Sequence, residues 1–390
     1  MERTMSQKLR VLMFSDYFYP HVGGGVEKVV YELSKRLVKM GCDILVITLG
    51  ENCLCYDVDG IKVYRVAGVD LTKLFQMQLS VPKDIKKVLN VAKDFSPDII
   101  HAHNIFFTTS LLAVLIKRVS HRKLVFSAHL GDVSNLALLG RWKALAAKAY
   151  EKFFGKIILS SSDAIIAVSH AVRQHVISLG APPKKVVVIP NGVDLEEFSS
   201  SFNMQKSIKP EVIFVGRLIP NKGLEYLVEA AKILINSKIT KVRFKIVGDG
   251  PYRQQLEELV ARYGLSPYFE FLGFVPKVSE ILRNGGIFVR PSLTEGMPLT
   301  ILEAMASGLP IIATRVSGTS EIIMHNETGI LIEPGNVRQL AEAIKYLVES
   351  PAEALRLGRN ARAFIEHHFR EKFSWDSAAL SVLSVYESLR

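Results

Sequence analysis

Two cationic side chains, Arg217 and Lys222, lie five residues apart between Gly216 and Gly223, directly after an apolar run that predicts a β-strand. A guanidinium can bind two phosphate oxygens at once, whereas an ammonium supplies a compact positive charge. The two cations are either solvated loop charges or the binding residues for an anion such as a diphosphate. The flanking glycines, which let a backbone approach a ligand closely, favour the anion.

Two carboxylates, Glu295 and Glu303, stand on either side of Pro298, which suits the first turn of a helix. Glu295 would then lie in the loop before the helix and Glu303 about a turn and a half inside it. Backbone N–H groups at Leu299 and Thr300 would point out of the helix start, toward an anion. Glu295 is either a helix-start charge or an acceptor for sugar hydroxyl groups, and Glu303 is either a salt-bridge partner or an enclosed carboxylate with a ligand.

Three histidines stand at or directly after the ends of apolar runs: His101 and His103 at the end of one run, and His129 after the next. A histidine at the carboxyl end of a strand can donate or accept a proton near neutral pH. A structural role is the default for each of them. Two neighbouring strands that end this way favour a chemical role for His129, which Gly131 and Asp132 place at the start of a loop.

The glycine triplet at residues 23–25 follows Pro20 and precedes a helix that begins near Glu27. Glycine there lets backbone N–H groups approach a phosphate, and the helix N-terminus adds positive potential. The spacing fits neither the dinucleotide fingerprint nor the lysine-bearing phosphate loop. A tight structural turn is therefore an equal alternative to a phosphate contact.

Two short motifs resemble metal ligands, and neither predicts a metal site. Asp57 and Asp59 are spaced like a carboxylate pair that holds a metal–diphosphate, but Gly60 and a strand-like run follow, which predicts a hairpin turn. Cys53 and Cys55 would leave most of a tetrahedral site unfilled. We expect reduced thiols and no metal or other cofactor.

Twelve short apolar runs alternate with helix-like segments, six in each half of the chain. The runs are residues 9–15, 43–49, 98–103, 123–128, 163–168 and 185–190, then 211–216, 242–247, 268–273, 286–291, 309–314 and 329–333. Many are nearly continuous in Val, Ile, Leu and Phe, as expected of parallel strands covered by helices on both faces. Because the strand–helix series occurs twice, the sequence predicts an α/β fold of two Rossmann-like domains facing a cleft.

A chain of 390 residues exceeds one ordinary core. The polar segment 199–210 is the predicted linker, which gives domains of residues 1–200 and 201–373. The last residues, 374–390, read as a helix. Its predicted apolar stripe is Trp375, Leu380, Leu383 and Tyr386.

The net charge is +11, of which +8 falls in residues 1–200. Residues 141–156 interleave Arg and Lys with Trp142, Leu145 and Phe153, as in a basic helix that lies on an anionic membrane surface. The alternative is a surface helix packed on the sheet.

The positive charge is spread too diffusely along the chain to predict a nucleic-acid-binding surface. No stretch approaches the roughly 20 apolar residues of a membrane span, and the first ten residues lack a signal core. We expect a cytoplasmic protein, peripheral on the inner membrane face if the helix binds lipid.

With these residues assembled, the chain resembles the family-4 glycosyltransferases of the GT-B fold over nearly its full length. The matching motifs are residues 24–27, the strand ends at His103 and His129, residues 168–169, 189–194, 215–217 with 222–223, 247–251, and Glu295 with Glu303 followed by 308–310. Their order along the chain makes the match specific. Residues 317–321 depart from the pattern, because the family often has two glycines before Glu321, and this affects the expected shape of the sugar pocket.

The resemblance implies a retaining, metal-independent transfer of a hexose or N-acetylhexosamine from a UDP- or GDP-sugar to a glycan, lipid-linked or small-molecule acceptor. Arg217 and Lys222 would bind the donor diphosphate, Glu303 the ribose and Glu295 the sugar, while His129 would lie beside the anomeric centre. The final helix would cross back to the first domain, and the domains would close over the donor. The implied donor-binding residues are Gly24, Gly25, Arg217, Lys222, Phe274, Val275, Glu295, Gly296, Met297, Leu299, Thr300 and Glu303, and the implied catalytic residues are His129, Arg217, Lys222 and Glu295.

Three other functions stay open on the same residues. A sugar-nucleotide epimerase or a phosphorylase-like enzyme would share the fold, and an epimerase would need no acceptor. A non-catalytic nucleotide-sugar-binding subunit would bind donor without turnover, although Glu295, which such a subunit could dispense with, is present.

Overall fold

A computed structural model describes residues 8–19, 24–70, 80–199 and 209–390. The chain divides into two compact units: unit 1 comprises Met1–His129, Lys148–Pro190 and Trp375–Arg390, and unit 2 comprises Leu130–Ala147 and Asn191–Ser374. This division differs from the predicted 1–200 and 201–373 boundaries, chiefly because residues 130–147 group with unit 2. Pro20, Gly23 and residues 200–208 of the predicted linker lie outside the described residues.

The described part of unit 1 contains one nine-stranded sheet. Its strands are β1 (Arg10–Phe14), β2 (Asp43–Gly50), β3 (Leu54–Val58), β4 (Ile61–Asp70), β5 (Ser80–Pro82), β6 (Ile99–His103), β7 (Lys123–Ala128), β8 (Ala164–Ala167) and β9 (Val186–Val188). The order is β3-β4-β2-β1-β6-β7-β8-β9, with β5 paired to β4. Strands β3 and β5 run antiparallel to β4, and the other pairs are parallel. The strand order reverses between β1 and β6, where open α/β sheets bind ligands.

Unit 2 contains a fully parallel sheet. Its strands are β10 (Glu211–Val215), β11 (Arg243–Val247), β12 (Phe269–Gly273), β13 (Ile287–Arg290), β14 (Ile311–Thr314) and β15 (Ile330–Ile332). The order β12-β11-β10-β13-β14-β15 is that of a Rossmann sheet, with its switch point between β10 and β13. Residues such as Val212, Phe214, Phe244 and Ile287 are fully buried in the core beneath the helices.

The helices cover the sheets between the strands. In chain order they are α1 (Gly25–Lys39), α2 (Ile85–Phe95), α3 (Thr108–Ser120), α4 (Arg141–Tyr150), α5 (Lys156–Ser161), α6 (His170–Ser178), α7 (Leu195–Ser199), α8 (Leu224–Asn236), α9 (Arg253–Arg262), α10 (Val278–Leu282), α11 (Leu299–Ala306), α12 (Thr319–Ile322), α13 (Val337–Glu349), α14 (Pro351–His368) and α15 (Trp375–Ser388). Asp84, Ser169 and Asn336 cap α2, α6 and α13 by accepting a backbone N–H three residues on. Among the described residues, no helix is both long and apolar enough to cross a membrane.

The twelve predicted strands are all present, and the predicted α/β class is confirmed. The predicted hairpin is also confirmed, since Val58 pairs with Ile61 and the turn residues Asp59 and Gly60 have φ of 51° and 77°. Gly60 N donates to the Asp57 carboxylate at 3.1 Å.

The final helix differs from its predicted stripe. Its buried face comprises Trp375, Ala378, Ala379, Val382 and Tyr386, and it packs on α1 within unit 1. Leu380, which we predicted on that face, is 57% exposed. Two of its buried positions, Ala378 and Ala379, carry small side chains where the helix faces unit 1.

Candidate active site

The loops after β10 and β13 lie side by side because these two strands pair directly in the sheet of unit 2. The first loop carries Arg217 and Lys222. Strand β13 ends at Arg290, and Glu295 follows in the next loop. The predicted cations and the predicted carboxylate are therefore both at the switch point of this sheet, where α/β proteins bind ligands.

A buried ion network joins the two loops. Glu295 Oε1 accepts hydrogen bonds from Lys222 Nζ at 2.9 Å and from Arg290 Nε at 2.8 Å, and Arg290 Nη2 lies 2.6 Å from the same oxygen. Arg290 Nη1 donates to the Val215 carbonyl at 2.7 Å, which fixes the guanidinium against β10. Arg290 and Glu295 are only 5% and 6% exposed, so the network is shielded from water.

The network fixes the ionisation of its members. Burial alone would raise the pKa of Glu295, but the Arg290 guanidinium and the Lys222 ammonium lower that pKa to about 2. Because this value lies below the ordinary one, the ion pairs stabilise the fold above about pH 4.5, and their contribution is lost as the pH falls toward 2. Burial, together with the charges of Arg290 and Arg217, lowers the pKa of Lys222 to about 8 against the opposing effect of the Glu295 carboxylate.

Arg217 differs from the other two cations because its guanidinium makes no ion pair or hydrogen bond with the described residues. The side chain is half-buried, and it is near enough for its charge to depress the pKa of Lys222. Three cations against one carboxylate leave two positive charges at this place in unit 2. Such an excess suits a diphosphate, and Arg217 has free donors to bind one.

Gly223 holds the loop of Arg217 and Lys222 against the segment that follows β13. It has φ of +67°, and a Cβ at this position would lie 2.1 Å from the Pro291 carbonyl oxygen. Only glycine combines this left-handed conformation with so close a backbone contact. Gly223 thus fixes where Lys222 meets Glu295.

The loop of Glu295 is packed from two further sides within unit 2. A Cβ on Gly318 would lie 1.5 Å from the Gly296 carbonyl oxygen, and one on Gly131 would lie 2.2 Å from Ser317 Oγ. Thr294 Oγ1 donates to the Asp132 carbonyl at 2.8 Å. Three chain segments are therefore packed against one another around this carboxylate.

We expect Gly318→Ala to lower the free energy of unfolding by about 1–3 kcal/mol, because the methyl group must displace the Gly296 backbone. Gly155→Ala is the matched control, since its added Cβ would find its nearest neighbour at 3.5 Å, an ordinary contact. Chemical denaturation monitored by circular dichroism compares the two variants. Equal stability of both would contradict the packing described for this loop.

Helix α11 begins one residue later than predicted, since Pro298 is its N-cap and Leu299 its first residue. The proline provides no side-chain cap, so the first N–H groups of the helix are not bonded by an N-cap side chain. Thr300 Oγ1 is buried without a hydrogen-bond partner among the described residues. Glu303 is 5% exposed and lies inside the helix, as predicted.

The other predicted donor residues are more scattered. Gly296, Met297 and Leu299 are buried beside Glu295, whereas Phe274 and Val275 follow β12, and Phe274 is 57% exposed. Gly24 is the N-cap of α1 and Gly25 its first residue, both in unit 1. The phosphate contact implied for them stays a prediction.

Unit 1 gathers its three strand-end histidines into one cluster. His103 Nδ1 lies 3.1 Å from His129 Nε2, while His101 bonds Tyr386 Oη through Nδ1 and Ser127 Oγ through Nε2. Burial lowers the pKa of His101 to about 3, that of His129 to about 4 and that of His103 well below its ordinary value. All three imidazoles are neutral at physiological pH.

Sequence reasoning missed two residues of these arrangements, Arg290 and Tyr386. The signal for Arg290 was present: a single charge ends an otherwise apolar strand that neighbours the cation loop. Tyr386 had no comparable signal, since its pairing with His101 spans 285 residues of sequence. Among the described residues, no group of three or more His, Cys, Asp or Glu side chains is arranged to hold a metal ion.

Comparison with known proteins identifies the family. Residues 23–197 match the family described as Glycosyltransferase Family 4, and residues 197–364 match Glycosyl transferases group 1. A phosphatidylinositol N-acetylglucosaminyltransferase subunit of Arabidopsis thaliana is 31% identical, over 97% of this chain and 82% of its own length. The chain belongs to the family-4 glycosyltransferases. A second relative of this glycosyltransferase, an uncharacterized glycosyltransferase of Methanocaldococcus jannaschii, is 27% identical over 97% of this chain and 98% of its own length.

Solved structures show the fold of the glycosyltransferase. HepE of Anabaena, in complex with UDP and glucose, matches with a TM-score of 0.77 at 20% identity, covering 98% of this chain and 100% of its own. Sucrose-phosphate synthase of Thermosynechococcus elongatus matches with a TM-score of 0.82 at 22% identity, covering 98% and 99%. The predicted GT-B fold and the predicted enzyme class are confirmed.

Proposed function

We propose that this glycosyltransferase moves a hexose or N-acetylhexosamine from a UDP- or GDP-sugar to an acceptor, with retention of anomeric configuration and without a metal ion. The observation that carries the proposal is the excess of positive charge at the switch point of unit 2, where Arg217 has no partner among the described residues and Lys222 shares Glu295 with Arg290. Breaking the anomeric C–O bond places negative charge on the departing diphosphate. Preorganised cations stabilise that charge most at the transition state.

In this proposal, Glu295 binds the sugar of the donor, at the end opposite the nucleotide. Lys222 and Arg290 both bond its Oε1, which holds the carboxylate in one orientation and keeps it ionised. An ionised carboxylate accepts hydrogen bonds only, so it suits the hydroxyl groups of a sugar. The uncapped start of α11 and the buried Glu303 would receive the remaining phosphate oxygens and the ribose.

A UDP-sugar, and UDP-N-acetylglucosamine in particular, is the donor we favour. Relatives named as N-acetylglucosaminyltransferase subunits support the sugar, and the UDP bound to HepE supports the nucleotide. The names of the same relatives include phosphatidylinositol, which makes an inositol phospholipid the first acceptor to test. Glycans and small molecules are the alternative acceptors in the same test.

A lipid acceptor agrees with the surface of the segment that begins at α4. Trp142 is 83% exposed and Leu145 58% exposed, and Arg141 beside them is exposed as well. The next turns add Phe153, which is 65% exposed. We propose that this basic and apolar segment contacts an anionic membrane surface on the cytoplasmic side.

A thermal-shift panel tests the donor assignment, because a ligand that binds only the folded state raises the melting temperature by mass action. UDP-, GDP- and ADP-linked hexoses and N-acetylhexosamines form the panel, and UDP-N-acetylglucosamine should give the largest shift.

An activity assay tests the transfer itself. Transfer to acceptor is measured with and without EDTA, and the anomeric configuration of the product is determined by NMR. Epimerised donor in the absence of acceptor would overturn the transferase assignment, and an EDTA-sensitive rate would overturn metal independence.

Donor affinity should weaken with rising pH, because a diphosphate binds the charged form of Lys222. With a pKa of about 8 in the free protein, Lys222 loses most of its charge by pH 9. Between pH 7 and 9 the Kd for UDP should therefore rise about tenfold, following the fraction of charged lysine. Lys222→Arg, which stays charged throughout, is the control. Isothermal titration calorimetry should show a much flatter profile for it, and equal slopes would contradict the assignment.

A further inference from the structure

The histidine cluster of unit 1 fixes where the proton of His129 lies. One hydrogen bond joins His103 Nδ1 to His129 Nε2 at 3.1 Å, with the two rings stacked at a 20° angle. Both rings are neutral, because burial lowers both pKa values far below 7. Two neutral imidazoles share one bridging proton, so one ring must be the donor and the other the acceptor.

The other ring nitrogen of His103, Nε2, decides which of the two rings donates the bridging proton. If His129 donated the bridging proton, His103 would carry its own proton on Nε2. That nitrogen is buried and has no hydrogen-bond partner among the described residues. A buried N–H without an acceptor is rarer in proteins than an unsatisfied acceptor, and leaving it unpaired costs free energy. His103 therefore donates through Nδ1, and His129 carries its proton on the opposite nitrogen, Nδ1.

The surroundings hold His103 in place for this task. His101 packs against it with ring centroids 4.2 Å apart. His101 is in turn fixed from α15 by Tyr386 Oη and from β7 by Ser127 Oγ. Among the described residues, the titratable groups that face the pair are His101 and, behind it, Tyr386, whose own pKa burial raises well above its ordinary value. Neither brings a negative charge that would protonate His129.

We propose that His103 is a positioning residue that holds His129 as the Nδ1–H tautomer, so that His129 presents a neutral hydrogen-bond donor, and not a base, to an oxygen of the reacting sugar. The involvement of the sugar rests on the proposed function. The tautomer itself rests on the geometry and the burial of the histidine cluster in unit 1. In a neutral histidine, the hydrogen bond that one ring nitrogen makes decides whether the other nitrogen carries the proton.

Nitrogen NMR of the whole protein, labelled with ¹⁵N-histidine, tests the tautomer without any substrate. The His129 signals are assigned by their loss in His129→Gln. We expect the Nδ1–H pattern for His129, unchanged between pH 5.5 and 8.5. An Nε2–H pattern, or a midpoint near the ordinary histidine pKa within that range, would overturn the proposal.

Two nearly isosteric substitutions test the positioning role. His103→Asn keeps an N–H donor toward His129, whereas His103→Asp offers only an acceptor when ionised. We expect His103→Asn to keep the Nδ1–H pattern and a kcat within about threefold, and His103→Asp to move the proton to Nε2 and lower kcat about a hundredfold. The KM for the donor should change far less than kcat. An equal loss of kcat in both variants would overturn the role.

An exposed histidine supplies the control for these substitutions. His121→Asn makes the same chemical change at an exposed position whose left-handed φ of 57° asparagine tolerates. Its kcat should match that of the unsubstituted protein. If His103→Asp does not fold, the ¹⁵N pattern of the unsubstituted protein and the His103→Asn kinetics still decide the proposal. Absence of transfer from every nucleotide sugar, with the Nδ1–H pattern present, would refute the proposed function and confirm the tautomer.

Discussion

Lys222→Ala should lower kcat/KM for the nucleotide sugar by about a hundred- to a thousandfold, the range for a lost transition-state stabiliser. The ammonium would meet the diphosphate directly, and its Nζ lies 2.9 Å from Glu295, which we assign to the donor sugar. The fold should change little, because Arg290 still neutralises Glu295 in the variant. Steady-state kinetics with the donor identified by the thermal-shift panel provide the measurement.

Lys245→Ala is the matched control for that experiment. Lys245 also belongs to unit 2 and also pairs with a carboxylate, that of Glu211 at 3.2 Å. It lies on β11 away from the switch point, so its removal should leave kcat/KM within about twofold, as expected of a partly exposed ion pair that does not contact the donor. Near-unchanged turnover in Lys222→Ala, or equal losses in both variants, would count against the diphosphate assignment.

Arg290→Met should lower the free energy of unfolding by about 3–5 kcal/mol, more than we expect for Gly318→Ala. Arg290 is 5% exposed and contacts Glu295 through two nitrogens and the Val215 carbonyl through a third, so its removal loses three buried contacts, whereas Lys222 makes only one to Glu295. Urea denaturation measures the loss. A change below about 1 kcal/mol would show that the buried network does not hold the loops together.

A double substitution separates stability from catalysis at this site. Arg290→Met combined with Glu295→Leu removes the stranded carboxylate, and buried ion pairs can often be replaced by apolar residues without a net loss. We expect the double variant to recover much of the stability lost in Arg290→Met. Its transfer activity should remain low, because Glu295 itself is absent.

The fold could be predicted from the sequence because the twelve strands are apolar runs, and such runs are typical of buried parallel strands. Strands β3 and β5 were not among the predicted runs, since their residues are mixed in polarity or few, and β4 was foreseen only as the strand-like run after the Asp59–Gly60 turn. Leu380 was wrongly placed on the buried face because helical periodicity alone does not reveal which side a neighbouring helix covers.

The candidate site could be predicted in part. Lys222 and Glu295 were identified separately from local motifs, and the structure places them 2.9 Å apart because β10 and β13 pair in the sheet. Their sharing of Arg290 was missed although a lone charge ends the apolar run of β13, because such an arginine fits a solvated charge as well as a buried one. The bond from His103 to His129 depends on the register of β6 against β7, which no local pattern encodes.

A crystal structure of the protein with UDP most directly tests whether the cations of unit 2 receive the leaving nucleotide. We predict that the diphosphate oxygens lie within about 3 Å of the Arg217 guanidinium and the Lys222 ammonium, the distance of a charge-assisted hydrogen bond. UDP bound elsewhere, with both side chains turned away from its phosphates, would contradict the account.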